Sequence, residues 1–120
     1  MSQHLENWMD AYVVAWDSND AADISRLFTP DAVYDPQVAG GPWDGVEAIV
    51  TRWIAIGDTP GNWEFEWTAV VETDELAVVE GRTSYIDPPA SYRNLFVVRF
   101  ADDGRCRDFT EWWIDEDLSD

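Results

Sequence analysis

Asn62-Trp63-Glu64-Phe65-Glu66-Trp67-Thr68-Ala69-Val70-Val71-Glu72 decides how this chain folds. Trp63, Phe65, Trp67, Ala69 and Val71 alternate with Glu64, Glu66, Thr68, Val70 and Glu72, the period of two that gives a strand one apolar face. Downstream the same grammar repeats. Thr73-Asp74-Glu75 turns the chain back, residues 76–86 form the next strand, and Asp87-Pro88-Pro89 is a loop. Residues 92–100 are a third strand, Asp102-Asp103-Gly104 a hairpin turn, and 105–114 a fourth.

Upstream the period lengthens to that of a helix. Leu5, Trp8, Met9, Tyr12, Val13 and Trp16 share one face of a helix over residues 3–17. Asp17-Ser18-Asn19-Asp20 breaks it and offers an N-cap to a short second helix, which buries Ile24, Leu27 and Phe28 and is stopped by Thr29-Pro30. Ala32-Val33-Tyr34 forms a brief strand before the turn at Asp35-Pro36, and residues 37–43 form a loop. Asp44 and Glu47 have capping-box spacing ahead of a third helix, whose face is Val46, Ile49, Val50, Trp53 and Ile54 and whose end is Gly57. Helices first and strands after predict an α+β domain, with three helices packed on a strongly curved antiparallel sheet. The whole of residues 1–120 reads as one domain, without repeats or linker.

Composition narrows the function classes. There are 25 acidic residues against seven basic ones, all arginine, for a net charge of −18. A field of that sign repels phosphate backbones and anionic lipid surfaces, so neither a nucleic acid nor a membrane is the expected partner. No apolar run approaches spanning length, and the expected location is cytoplasmic. Cys106 is the only cysteine and His4 the only histidine, which excludes an internal disulfide, a thiolate or multi-histidine metal site and a Ser-His-Asp arrangement. His4, at the start of the first helix, reads as a solvated residue. No phosphate-cradling loop is present, and no metal or cofactor is expected.

The eight tryptophans either fill a core or line a cavity. On strand 76–86 one face is Ala77, Val79, Gly81, Thr83 and Tyr85; facing the helices, these small side chains leave space for a ligand. The matching face of strand 92–100 is Tyr92, Asn94, Phe96, Val98 and Phe100. The last strand carries aromatics on both sides: Phe109, Glu111 and Trp113 share one, and Asp108, Thr110, Trp112 and Ile114 the other. The opposite sheet face, with Val70, Leu76, Val78, Leu95 and Val97 among arginines and glutamates, suggests a homodimer formed through it.

The order of elements and several strings together resemble the cone-shaped NTF2-like fold, within it the SnoaL-like and ketosteroid isomerase-like proteins. The strings are Ala11-Tyr12 through Asp20, Phe28-Thr29-Pro30-Asp31-Ala32, Val33-Tyr34-Asp35-Pro36, Gly45, and Asp103-Gly104-Arg105 through Trp112-Trp113. The resemblance implies a hollow cone and a set of roles. Tyr12 falls where the isomerases place the tyrosine that donates to the developing oxyanion. Asp35 falls at their proton-shuttling carboxylate, although the segment from Ala32 to Asp35 is one residue shorter here. Phe109, Glu111 and Trp113 fall on the pocket side of the last strand. Phe96 stands where the isomerases have a protonated aspartate, and Trp53 and Phe28 replace the tyrosines that support the catalytic one. The Asp-Arg-Asp relay of the epoxide hydrolases that share this fold has no counterpart on the inward faces.

The expected catalytic residues are thus Asp35, Tyr12 and Glu111, in a pocket walled by Trp16, Trp53, Trp67, Tyr85, Asn94, Phe96, Phe109 and Trp113. A carboxyl in such a pocket is disfavoured as an anion, which moves its pKa toward neutrality and suits it to acid–base work. The chemistry implied is proton transfer beside a carbonyl (isomerisation, cyclisation or dehydration) on a small or medium hydrophobic molecule. The alternative is a non-catalytic small-molecule-binding or dimerisation module built on the same cavity.

Overall fold

A computed structural model describes residues 3–116. Helix α1 (Gln3–Ser18) is followed by α2 (Ala21–Ser25), β1 (Phe28–Asp35), β2 (Trp43–Asp44), α3 (Val46–Ile56), β3 (Trp63–Glu72), β4 (Leu76–Tyr85), β5 (Ala90–Phe100) and β6 (Cys106–Asp115). The strands form one open, curved sheet in the order β2-β1-β6-β5-β4-β3. Its pairs are antiparallel except β1 with β6, which run parallel and are connected through β2, α3 and the β3–β5 strands.

Most of the helical face read from spacing is buried: Leu5, Trp8, Met9, Tyr12 and Trp16 of α1, joined by Ala15 in place of the half-buried Val13, meet Ile49 and Trp53 of α3 and the inward sheet residues Ala77, Val79, Phe96, Val98 and Phe109, whereas Ile54 of α3 is exposed. The Trp8 indole donates to the Leu27 carbonyl over 3.1 Å, and the Cys106 amide donates to the same carbonyl over 2.8 Å, tying α1 to the β1–β6 seam. Gly81 makes room for an aromatic layer: a Cβ there would lie 2.7 Å from the Phe65 ring.

Several expectations are corrected. Helix α2 ends at Ser25, so Leu27 and Phe28 are buried by the turn and by β1 rather than by the helix, and Thr29-Pro30 lies inside the strand. Asp20 does cap α2, its carboxylate accepting from the Asp23 amide over 3.1 Å. The Asp44 cap does not form, because Asp44 is taken into β2 opposite Val33 and Gly45, at φ 92°, becomes the N-cap residue. In β3 the pairing skips from Ala69–Val79 to Val71–Val78, a bulge at Val70 that moves Val71 to the outer face. His4 is not simply solvated: its Nε2 lies 2.8 Å from the Gly104 carbonyl and its ring packs on Phe100, pinning the start of α1 to the β5–β6 hairpin. No helix among the described residues is long and apolar enough to cross a membrane.

Candidate active site

A cavity of about 610 Å³ lies between the sheet and α1 and α3. Its wall is aromatic, with Tyr12, Trp16, Tyr34, Trp43, Trp53, Tyr85, Tyr92, Trp112 and Trp113, and its exposed rim includes Val38 and Ile56. Among the described residues two carboxyl groups line it, Glu111 and Asp58, and no arginine or histidine does.

The inner end is built by three elements. Alternation along β6 turns Phe109, Glu111 and Trp113 inward, because Val98, Phe96 and Asn94 of β5 stand opposite them in register. Parallel pairing of β1 sets Tyr34 beside Phe109 and Asp35 beside Thr110, so Tyr34 faces the cavity and Asp35 does not. Tyr12 comes down from α1. The rings of Tyr12 and Tyr34 both stack on Phe109, with centroids at 5.6 and 4.8 Å, which brings their hydroxyls to the same end of the cavity. Trp43 closes the other side of Tyr34 at 4.6 Å, nearly parallel.

Glu111 lies at their meeting point, 7% exposed, and its Oε1 is buried without a hydrogen-bond partner among the described residues. Burial pushes its pKa up to about 7; the neighbouring Trp113 indole and the Tyr34 and Tyr12 hydroxyls hold it back from rising further. Burial likewise raises both phenols well above their ordinary range, with the Glu111 charge adding to the effect, so both remain hydrogen-bond donors at neutral pH. A carboxyl that titrates near neutrality beside two protonated phenols can move a proton and stabilise an oxyanion in one place.

The outer end is a different environment. Asp58, in the loop after α3, accepts from the Trp16 indole and from the Tyr85 hydroxyl, each over 2.8 Å and each on Oδ2. The Asn19 amide donates to the Asp58 carbonyl over 3.0 Å. Trp16 itself lies flat on Trp63 at 3.9 Å. Asn19 and Gln37, both on the cavity wall, hold left-handed backbone angles, φ 52° and 59°.

Of the residues singled out from sequence, the structure brings Tyr12, Glu111, Trp16, Trp53, Tyr85 and Trp113 together on the cavity wall. Phe96 and Phe109 are wholly buried behind it. Asn94 is also behind it, its Oδ1 accepting from the Thr83 hydroxyl over 2.7 Å while its Nδ2 has no partner. Trp67 packs on the edge of the core away from the cavity lining. Asp35 is the principal correction. Its Oδ1 accepts from the Gln37 amide over 3.0 Å and stabilises the turn, and it does not line the cavity. The segment from Ala32 to Asp35 is one residue shorter than the isomerase pattern, and in a strand one residue reverses the face. Sequence reasoning missed Tyr34 and Asp58. Strict alternation from the buried Ala32 would have found Tyr34; nothing periodic marks Asp58.

Residues 9–109 match the model of the SnoaL-like domain family. Among curated proteins none matches. Several solved structures share the fold. A protein of unknown function with a cystatin-like fold from Methylobium petroleophilum is 23% identical, with a TM-score of 0.73 over 92% of this chain and 75% of that one. An NTF-2 like protein of unknown function from Burkholderia xenovorans is 16% identical, with a TM-score of 0.76 over 98% and 88%. A ketosteroid isomerase-like protein from Erwinia carotovora atroseptica is 18% identical, with a TM-score of 0.68 over 91% and 92%. At these identities the likeness is one of fold.

Proposed function

The chain belongs to the SnoaL-like domain family, and from that premise we propose that it is a cytoplasmic, cofactor-independent enzyme moving a proton beside the carbonyl of a small or medium hydrophobic molecule, as in isomerisation, cyclisation or dehydration. Glu111 takes the proton from carbon and returns it, the role first assigned to Asp35. Tyr12 and Tyr34 donate to the substrate oxygen as charge develops on it. The aromatic wall excludes water and binds the apolar body. One observation carries the reading: a nearly buried carboxyl with an unpartnered oxygen, lining a cavity beside two phenols.

The test is α-proton exchange of 2-tetralone in D2O, followed by proton NMR. The protein should accelerate exchange, and Glu111→Gln should abolish the acceleration. Binding of 2-tetralone without any acceleration would overturn the enzymatic reading in favour of a binding module.

A homodimer formed through the outer sheet face is the partner arrangement we favour. Val70 and Ile114 are exposed there, and Leu76, Val78, Leu95 and Val97 are half-buried beside them. Sedimentation equilibrium checks it: Val97→Glu should convert the dimer to a monomer, and a monomeric parent protein would refute it.

A further inference from the structure

We propose that the ligand carries a cationic nitrogen, an ammonium group on a hydrophobic body, which seats on Asp58 inside a box of aromatic rings at the outer end of the cavity. This rests on reading the cavity as a ligand site and adds the charge of what fills it. Trp16, Tyr85, Tyr92 and Trp113 form the box. Tyr85 meets Tyr92 edge-on at 5.8 Å, Tyr92 meets Trp113 at 5.6 Å, and Trp113 meets Trp16 at 5.8 Å. Asp58 closes the ring, because Trp16 and Tyr85 both donate to its Oδ2. A run of aromatic rings lining a cavity beside a carboxyl group suits an ammonium group, which the ring quadrupole and the carboxyl both attract.

A second observation points the same way. The described ion pairs all lie elsewhere, joining Arg26, Arg82, Arg93 and Arg105 to Asp23, Glu116 and Asp103. Among the described residues the cavity wall therefore holds two carboxyl groups, one of them (Glu111) nine-tenths buried with an unpartnered oxygen, and no cationic side chain beside either. A cationic ligand complements these carboxyl groups; an anionic one meets two carboxyl groups and no group of opposite sign. With the nitrogen at Asp58, the rest of the molecule extends toward Glu111, Tyr12 and Tyr34, which fixes which end reacts.

Calorimetric titration of the whole protein with phenyltrimethylammonium and with its uncharged isostere, tert-butylbenzene, tests this. The cation should bind at least tenfold more tightly, and benzenesulfonate should bind more weakly than either. Asp58→Asn should remove the preference while changing tert-butylbenzene affinity less than twofold. Should that variant not fold, Tyr92→Leu should weaken the cation at least threefold more than the isostere. Equal affinity of the two isosteres overturns the proposal, as does failure of the cation to bind. A preference that survives Asp58→Asn assigns it to the −18 surface and overturns the site. None of these failures touches the tetralone exchange, which depends on Glu111.

Discussion

The two ends of the cavity hold the same chemical group in opposite circumstances. Glu111, on a strand and nearly sealed, has an oxygen without a partner, whereas Asp58, on a loop at the mouth, has two donors on one oxygen. Rigid sheet register can keep a carboxyl dry, because alternation forces it inward whatever its polarity. A loop carboxyl is steered by the groups that reach it. The inner end is suited to moving a proton, and the outer end to holding a ligand. The difference between them comes from backbone context rather than from residue type.

Replacing Glu111 by Gln gives the largest expected effect. In the 2-tetralone assay it should lower exchange by roughly 10²–10⁴, the usual contribution of a positioned acid–base group. The same variant breaks the comparison in stability. The Glu111 proton is held up to about pH 7 in the fold against an ordinary value of 4.5. Below pH 4.5 both folded and unfolded chains carry it and its contribution is fully present. As pH rises from 4.5 to 7, the unfolded chain releases it first and stability falls. That fall is on the order of 3 kcal/mol. Glu111→Gln should therefore be more stable than the parent at pH 8 by about that amount and nearly equal to it at pH 4. Urea unfolding across that range reads the difference, and an unchanged gap between the two proteins would refute the burial of the charge.

Tyr34→Phe comes next. It retains the stack on Phe109 and Trp43 and removes only the hydroxyl, so folding should be preserved while exchange falls by about 10²-fold, as for loss of an oxyanion donor. At the outer end, Trp16→Phe deletes an indole donor to Asp58 and part of the stack on Trp63. A thermal scan should show a loss of about 1–3 kcal/mol, the scale of leaving a part-buried acceptor short of a donor. Exchange at the inner end should change less than that stability loss implies if the two ends work separately.

The fold was legible where a period ran unbroken. The helical stripes of α1 and α3 and the alternation in β4 to β6 place most of the core, including Phe96, Phe109 and Trp53. It was not legible where a single residue resets the count. The bulge at Val70 reverses the end of β3, and recruitment of Asp44 into β2 removes a cap whose spacing was correct. Both depend on pairing with a neighbouring strand, which no period within the segment itself records. The parallel seam between β1 and β6 had no local signal, since the two strands lie at opposite ends of the chain. Glu111 and Tyr12 could be placed because each sits in a periodic element. Asp58 could not, because side-chain direction in a six-residue loop such as Gly57-Asp58-Thr59-Pro60-Gly61-Asn62 follows neither period.

Asp35→Asn carries the smallest expected effect and sharpens the comparison most. Asp35 and Tyr34 are adjacent, and β1 sends them to opposite faces of one sheet. An asparagine retains the oxygen that accepts from the Gln37 amide, so the turn survives with a weaker acceptor. The loss should stay within about 0.5 kcal/mol, a neutral acceptor replacing a charged one at an exposed bond. Exchange of 2-tetralone should remain within twofold of the parent protein. A loss comparable to that of Glu111→Gln would mean that Asp35, not Glu111, moves the proton. It would require β1 to slip by one residue against β6, which would carry Tyr34 off Phe109 and dismantle the inner end altogether.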